Sequence, residues 1–159
     1  MRGWTISGIP RISSGFPVTI SSDGDRSLIG SLPNGVNNQS LDLPDFTSGP
    51  LNFNHDPRNG QPYFNTSLFQ PQELGTAGNA SRRSFYGPGM FNSDIALLRS
   101  FQLDESRTLQ FRLESFNVFN HTQFFGPAAV NGDINSALFG QVVKADPPRR
   151  MQVAIKFVF

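Results

Sequence analysis

The stretch that most constrains the fold is the last, "RRMQVAIKFVF". With a period of two it places Met151, Val153, Ile155, Phe157 and Phe159 on one face and Gln152, Ala154, Lys156 and Val158 on the other. One face is wholly apolar, as in a strand with a different environment on each side. Upstream, "TLQFRLESFNVFN" repeats the arrangement, with Leu109, Phe111 and Leu113 alternating with Gln110, Arg112 and Glu114. A helix would scatter those polar groups around its circumference.

Two further runs share the pattern. "FNSDIALLRSFQL" sets Ile95, Leu97, Phe101 and Leu103 on one face, with Arg99 the exception, against Asp94, Ala96, Ser100 and Gln102. The intervening "DESR" reads as a tight hairpin turn. In "GWTISGIPRIS", Trp4, Ile6 and Ile12 share a parity with Gly8 and Pro10, although Pro10 has no ladder hydrogen bond to donate. The pattern predicts four strands, near 2–18, 91–103, 107–120 and 150–159.

The rest reads as connection. Residues 20–90 are dense in Asn, Gly, Pro and Ser, and "SLPNGVNNQ", "HDPRNGQP" and "FYGPGMF" read as successive turns. A second connection spans 121–149, with a minor strand expected at 141–145. Sixteen Phe against two Tyr and one Trp, with 15 Gly and 12 Pro, disfavour helices and favour strands joined by long turns. No fixed-period repeat supports a solenoid or propeller.

Several classes drop out. A formal charge of +1, with no basic run longer than a pair, gives nucleic-acid binding no support. The absence of cysteine removes disulfides and thiolate metal sites. No window approaches the ~18 apolar residues of a membrane helix, and the N-terminus lacks a signal peptide's apolar core. Barrel strands of about 9 to 11 alternating residues would pass such a scan unnoticed.

Alternation alone leaves two architectures: a transmembrane barrel whose apolar face meets lipid, and a soluble secreted antiparallel β-sandwich whose apolar face is core and whose long loop would bind carbohydrate or a protein partner. The long structureless connection favours the barrel, where it becomes an external loop; inside a compact soluble domain it would be unusual. On the barrel reading, Trp4, Phe91, Phe116, Phe119 and Phe159 belong to interfacial girdles, and the aromatic last strand doubles as an assembly signal.

Here the residues also carry a resemblance. "GNASRRSFYGPGMFNSDIALLRSFQLDESRTLQFRLESFNVFNHTQF" and "FGQVVKADPPRRMQVAIKFVF" resemble the C-terminal end of Oar-like TonB-dependent outer-membrane receptors, and "GWTISGIPRISSGFPVT" resembles the strand before their penultimate large loop. The likeness is weak through 21–75. It implies an all-β, antiparallel segment: the last four or so strands of a large transmembrane β-barrel, with one long and one medium external loop. The whole receptor would be a roughly 22-stranded, plugged barrel in the outer membrane of a Gram-negative bacterium, taking up a large or scarce solute.

The implied partners are outer-membrane lipid, the rest of the barrel and its plug, the TonB complex through an N-terminal part, and the barrel assembly machinery through the last strand. Residues 1–159 would then be a C-terminal barrel fragment, with Met1 an internal methionine and the chain unable to work alone. The same topology makes "DESR" a periplasmic turn. Ile95, Leu97, Leu109, Phe111, Leu113, Met151, Val153, Ile155, Phe157 and Phe159 face lipid, with Gln110, Arg112, Glu114 and Lys156 lumenal and able to pair across strands. Arg99 falls near the periplasmic end, where its side chain reaches the interface.

Chemistry is sparse, and the expectation is no enzyme and no cofactor. His55 and His121 lack a second ligand at zinc spacing. Asp23 and Asp25 sit at calcium-loop spacing, but Leu28 and Asn34 stand where such a loop needs Gly and Glu. No G-x-S-x-G is present. Asn38, Asn65, Asn79 and Asn120 begin sequons that read as accidents of an Asn-rich chain. Ligand selectivity would reside in the long loop, where Phe46, Phe53, Tyr63, Phe64 and Phe69 either meet a ligand or pack the loop on itself.

Overall fold

A computed structural model of the chain describes residues 3–22, 24–29 and 42–159. The turn reading of "SLPNGVNNQ", and Asp23, Asn34 and Asn38, lie outside the described residues. In chain order the strands are β1 (Trp4–Ser13), β2 (Pro17–Val18), β3 (Asp45–Phe46), β4 (Phe69–Gln70), β5 (Phe85–Tyr86), β6 (Met90–Gln102), β7 (Thr108–Phe116) and β8 (Arg150–Val158). Two single-turn 3-10 helices, Pro57–Asn59 and Thr66–Leu68, complete the elements among the described residues. The chain is all-β, and every pairing between these strands is antiparallel.

The chain divides into two units. The first, Met1–Ser13, Gly89–Gln123 and Asp146–Phe159, is a four-stranded sheet in the order β1-β6-β7-β8. Consecutive β6 and β7 are joined by the expected tight turn. Asp104 shapes it by accepting the backbone N–H groups of Ser106 and Arg107 on Oδ1, at 3.0 and 2.9 Å. Both long connections leave from the opposite end of the sheet, where Ser13 lies opposite Met90 and Phe116 opposite Arg150. β1 and β8 are edges, each hydrogen-bonded on one side only among the described residues.

Three boundaries differ from the sequence reading. The first strand ends at Ser13 instead of 18, because its ladder breaks over 14–16, opposite 87–89 where Pro88 has no N–H to donate; it resumes in the same register with Pro17 and Val18 paired to Tyr86 and Phe85. The third ends at Phe116 instead of 120, because Asn117 and Asn120 take left-handed φ values of 54° and 51°. At 141–145 there is a single bridge, Val130 to Val142, in place of a strand.

The second unit, Ser14–Pro88 and Phe124–Ala145, is built from both connections, so the long one is not structureless. Ile20, Tyr63, Phe64, Phe69, Ala80, Phe85 and Val130 form its buried core, with Phe46, Ile134, Phe139 and Val142 packed around it. Phe64 is its aromatic hub, with ring centroids 4.7 Å from Phe85, 5.6 Å from Phe69 and 5.6 Å from Phe139.

A buried polar cluster ties the described part of the connection together. Asp42 accepts the Ser27 hydroxyl at 2.6 Å, the Ser27 backbone N–H at 2.9 Å and the Gln72 amide at 3.1 Å. Burial works to raise the Asp42 pKa, but the Ser27, Arg26 and Gln72 hydrogen bonds together outweigh it and hold the carboxyl below its ordinary value.

Candidate functional site

The sheet's two faces are its most informative surface. Because pairing is in register, the period-two pattern of each strand becomes a row across all four. Ile6, Leu97, Leu113 and Val153 form one row; the next comprises Trp4, Arg99, Phe111 and Ile155, followed by Phe101, Leu109 and Phe157. Toward the other end, Gly8, Ile95, Ser115 and Met151 continue the face. The expected residues Ile95, Leu97, Leu109, Phe111, Leu113, Met151, Val153, Ile155 and Phe157 therefore share one surface. That surface is open: Ile6 is 73% exposed, Ile12 78% and Ile155 69%. Phe159, beyond β8, has its ring 5.9 Å from Phe157.

Aromatic rings mark both ends of this face. At the long-connection end, Phe91 and Phe119 stack with centroids 6.1 Å apart. At the tight-turn end lie Trp4, Phe101 and Phe157, and the Arg99 guanidinium carbon lies 4.8 Å from the Trp4 ring centroid and 4.4 Å from that of Phe101. Phe116 departs from the girdle reading: its register partner is Arg150, and its even position on β7 puts it on the opposite, polar face.

On that polar face, Arg112 forms an ion pair with Glu114, and Glu114 also accepts the side-chain amide of Gln152 on β8. The ion pair is thus formed along one strand, and the link across strands comes from Gln152. Lys156 lies opposite Gln110 and has no ion pair among the described residues, so the three charged groups do not pair as one set.

Nearer the long-connection end, the same face carries a cleft of about 520 Å³. Asp94 anchors one wall, accepting from Arg11 at 2.7 Å and from the Asn117 backbone N–H at 2.9 Å. Arg150, Asp146 and the Phe116 ring also line it. Charges of both signs beside amide groups give a surface suited to water and polar solutes.

Gln123 braces this end from the sequence side. Its carboxamide accepts the Phe91 N–H at 3.0 Å and donates to the Phe91 carbonyl, so one side chain substitutes for a paired strand residue where β7 has already ended. Arg11, Asp94 and Gln123 escaped the sequence reading as functional residues. A parity count places Arg11 and Asp94 together on the polar face, but nothing in the sequence marks Gln123.

The loop aromatics lie elsewhere, in the second unit. Tyr63, Phe64 and Phe69 are buried, and Phe46 packs against them with its centroid 5.2 Å from Phe69. Phe53 is partly exposed, with its ring 5.4 Å from both Tyr63 and Phe85. Their rings contact one another, and burial raises the Tyr63 pKa above the ordinary phenol value. His121 contacts the Gln123 amide at 3.1 Å through Nδ1.

Comparison with known families gives a match over residues 1–152 to the outer membrane beta barrel domain. Neither the curated proteins nor the solved structures gave a match. A match of that extent, on a sheet with one open apolar face, one polar face and two edges unpaired among the described residues, shows that the chain belongs to the outer membrane beta barrel domain family and to the outer membrane of a Gram-negative bacterium.

Proposed function

We propose that the chain is the C-terminal wall of a TonB-dependent, Oar-like transporter that takes up a large or scarce solute, with the apolar face against lipid and the polar face toward the lumen. The transporter assignment rests on the resemblance of residues 78–124 and 139–159, and the observation that carries the lipid-facing orientation is the height of the apolar face. Phe91 and Phe101 are ten residues apart on β6. That distance is about 33 Å along a strand. At a tilt of about 40° it rises about 25 Å, the height of the lipid-facing band of outer-membrane barrels.

Connectivity supports the same orientation. A tight turn at one end and two long connections at the other match short periplasmic turns and long external loops. Both edges require further strands, supplied by the rest of the barrel. The plug, the TonB complex and the barrel assembly machinery are the partners proposed, and no catalysis is assigned. A soluble sandwich is not favoured, because its inner apolar face would be covered, whereas Ile6, Ile12 and Ile155 are open.

The test is to purify the gene product from the outer membrane by a tag inserted at the exposed Gly60 turn and to measure its intact mass and its partners. The expected result is a plug-bearing barrel, covalent or assembled, that crosslinks to TonB. A 17.5 kDa species recovered without plug or TonB would overturn the transporter assignment.

A further inference from the structure

Among its described residues the apolar face carries one cation, Arg99, and reaching the interface does not by itself say what satisfies its hydrogen bonds. Arg99 lies among Trp4, Phe101 and Phe111, and no carboxylate pairs with it among the described residues. Two ring faces, at 4.8 and 4.4 Å, hold the guanidinium in place. Ring faces offer attraction to the cation but no hydrogen-bond acceptor in the plane of its five N–H donors. A guanidinium so oriented is preorganised for a planar, bidentate anion, and a phosphate diester fits that fork.

Position identifies the source of the phosphate. Arg99 is two residues from Phe101, the ring at the tight-turn end of the face, which is headgroup depth if the face meets lipid. We infer that Trp4, Arg99 and Phe101 form a binding site for the phosphate of a phospholipid in the periplasmic leaflet, with the two rings holding the guanidinium and the lipid completing its hydrogen bonds. This inference rests on the lipid-facing reading above. Lysine would replace arginine only in part here, because a point charge keeps the attraction but lacks the planar fork.

Trp4 is the single tryptophan of the chain and lies within the site, so its fluorescence reports on it directly. The protein purified from the outer membrane as above, with any tryptophan outside residues 1–159 replaced by Phe, is reconstituted in vesicles of phosphatidylglycerol or of phosphate-free galactosyl diacylglycerol, each with brominated acyl chains, and lipid retained after detergent extraction is counted by native mass spectrometry. Bromine quenching of Trp4 in both lipids is expected, and its absence in both would overturn the lipid-facing reading and the site together. With quenching present, phosphatidylglycerol should be retained on the wild type, and retention should fall about tenfold in Arg99→Gln, the change expected for loss of a charge-assisted pair. Arg99→Lys should retain an intermediate amount, with quenching unchanged in both variants. Equal retention by wild type and Arg99→Gln, or equal retention of the phosphate-free lipid, would overturn the site while leaving the lipid-facing reading intact.

Discussion

Arg11 and Asp94 meet across the β1–β6 seam at 2.7 Å although neither is the other's register partner: Arg11 lies opposite Asn92, and Asp94 opposite Ile9. The diagonal contact ties β1 to β6 at the point where β7 no longer covers β6, and Asp94 also accepts the Asn117 backbone N–H that begins the left-handed turn.

Replacing Asp94 with Ala should therefore cost more than replacing Arg11. Asp94→Ala leaves three donors without their acceptor, the Arg11 guanidinium, the Asn117 backbone N–H and the more distant Asn92 amide, for a loss of about 1–2 kcal/mol once the exposure of Arg11 is allowed for. Arg11→Ala should cost under about 1 kcal/mol, since the Asn117 bond survives. Denaturant unfolding in detergent micelles measures both, and equal losses would show that the turn does not depend on Asp94.

Leu97 and Ala96 are adjacent in the chain and opposite in environment. On the lipid-facing reading, Leu97→Arg should cost about 2–4 kcal/mol in bilayer folding, as for a cation near mid-membrane. Ala96→Lys, on the polar face across from Glu114, should stay within about 0.5 kcal/mol. Folding yield into lipid vesicles, read by the shift in gel mobility between folded and heated protein, distinguishes them. Similar losses for both would place lipid on neither face.

The second unit should be bounded in pH on both sides. Asp42 has its folded pKa held below the unfolded value of about 3.9, so its contribution is present above that pH and is lost as pH falls through the folded value. Tyr63 is the reverse case: its folded pKa is raised above about 10, so its contribution is complete below pH 10 and is lost as pH rises through the folded value. Near-UV circular dichroism against pH should show an acid limb that flattens in Asp42→Asn and an alkaline limb that flattens in Tyr63→Phe.

Gly78 sits against backbone that has no room to yield. A Cβ there would collide with the carbonyl oxygens of Leu43 and Pro44. Gly78→Ala should cost about 1–3 kcal/mol and expose the described part of the long connection to protease. Gly24→Ala, with open space around its Cβ but a φ of 105°, should carry backbone strain without the collision. Limited proteolysis of the two variants separates steric crowding from strain.

The strands were legible where alternation was uninterrupted. From Leu109 to Glu114 and from Met151 to Val158, parity alone sorts the residues onto the two faces of the sheet. Parity also puts Phe116 on the polar face, but its neighbours Val118 and Phe119 made the apolar run look continuous. The run breaks because Asn117 and Asn120 adopt positive φ, which Asn tolerates better than most residues but does not announce. The second unit was illegible for a different reason. Its contacts join Phe64 to Phe85 and Phe139 across long stretches of chain without a period, so neither helical nor strand spacing records them.

The register that places Ser13 opposite Met90 and Phe116 opposite Arg150 also fixes how the long connections are closed. Once the sheet has zipped, the two stems of each connection are held about 5 Å apart, so their closure entropy has already been absorbed by strand pairing. Each later doubling of loop length then costs only about 0.6 kcal/mol. The sheet therefore works as a clamp from which large folded insertions can hang, and segments between the stems can grow or be exchanged with little effect on strand pairing.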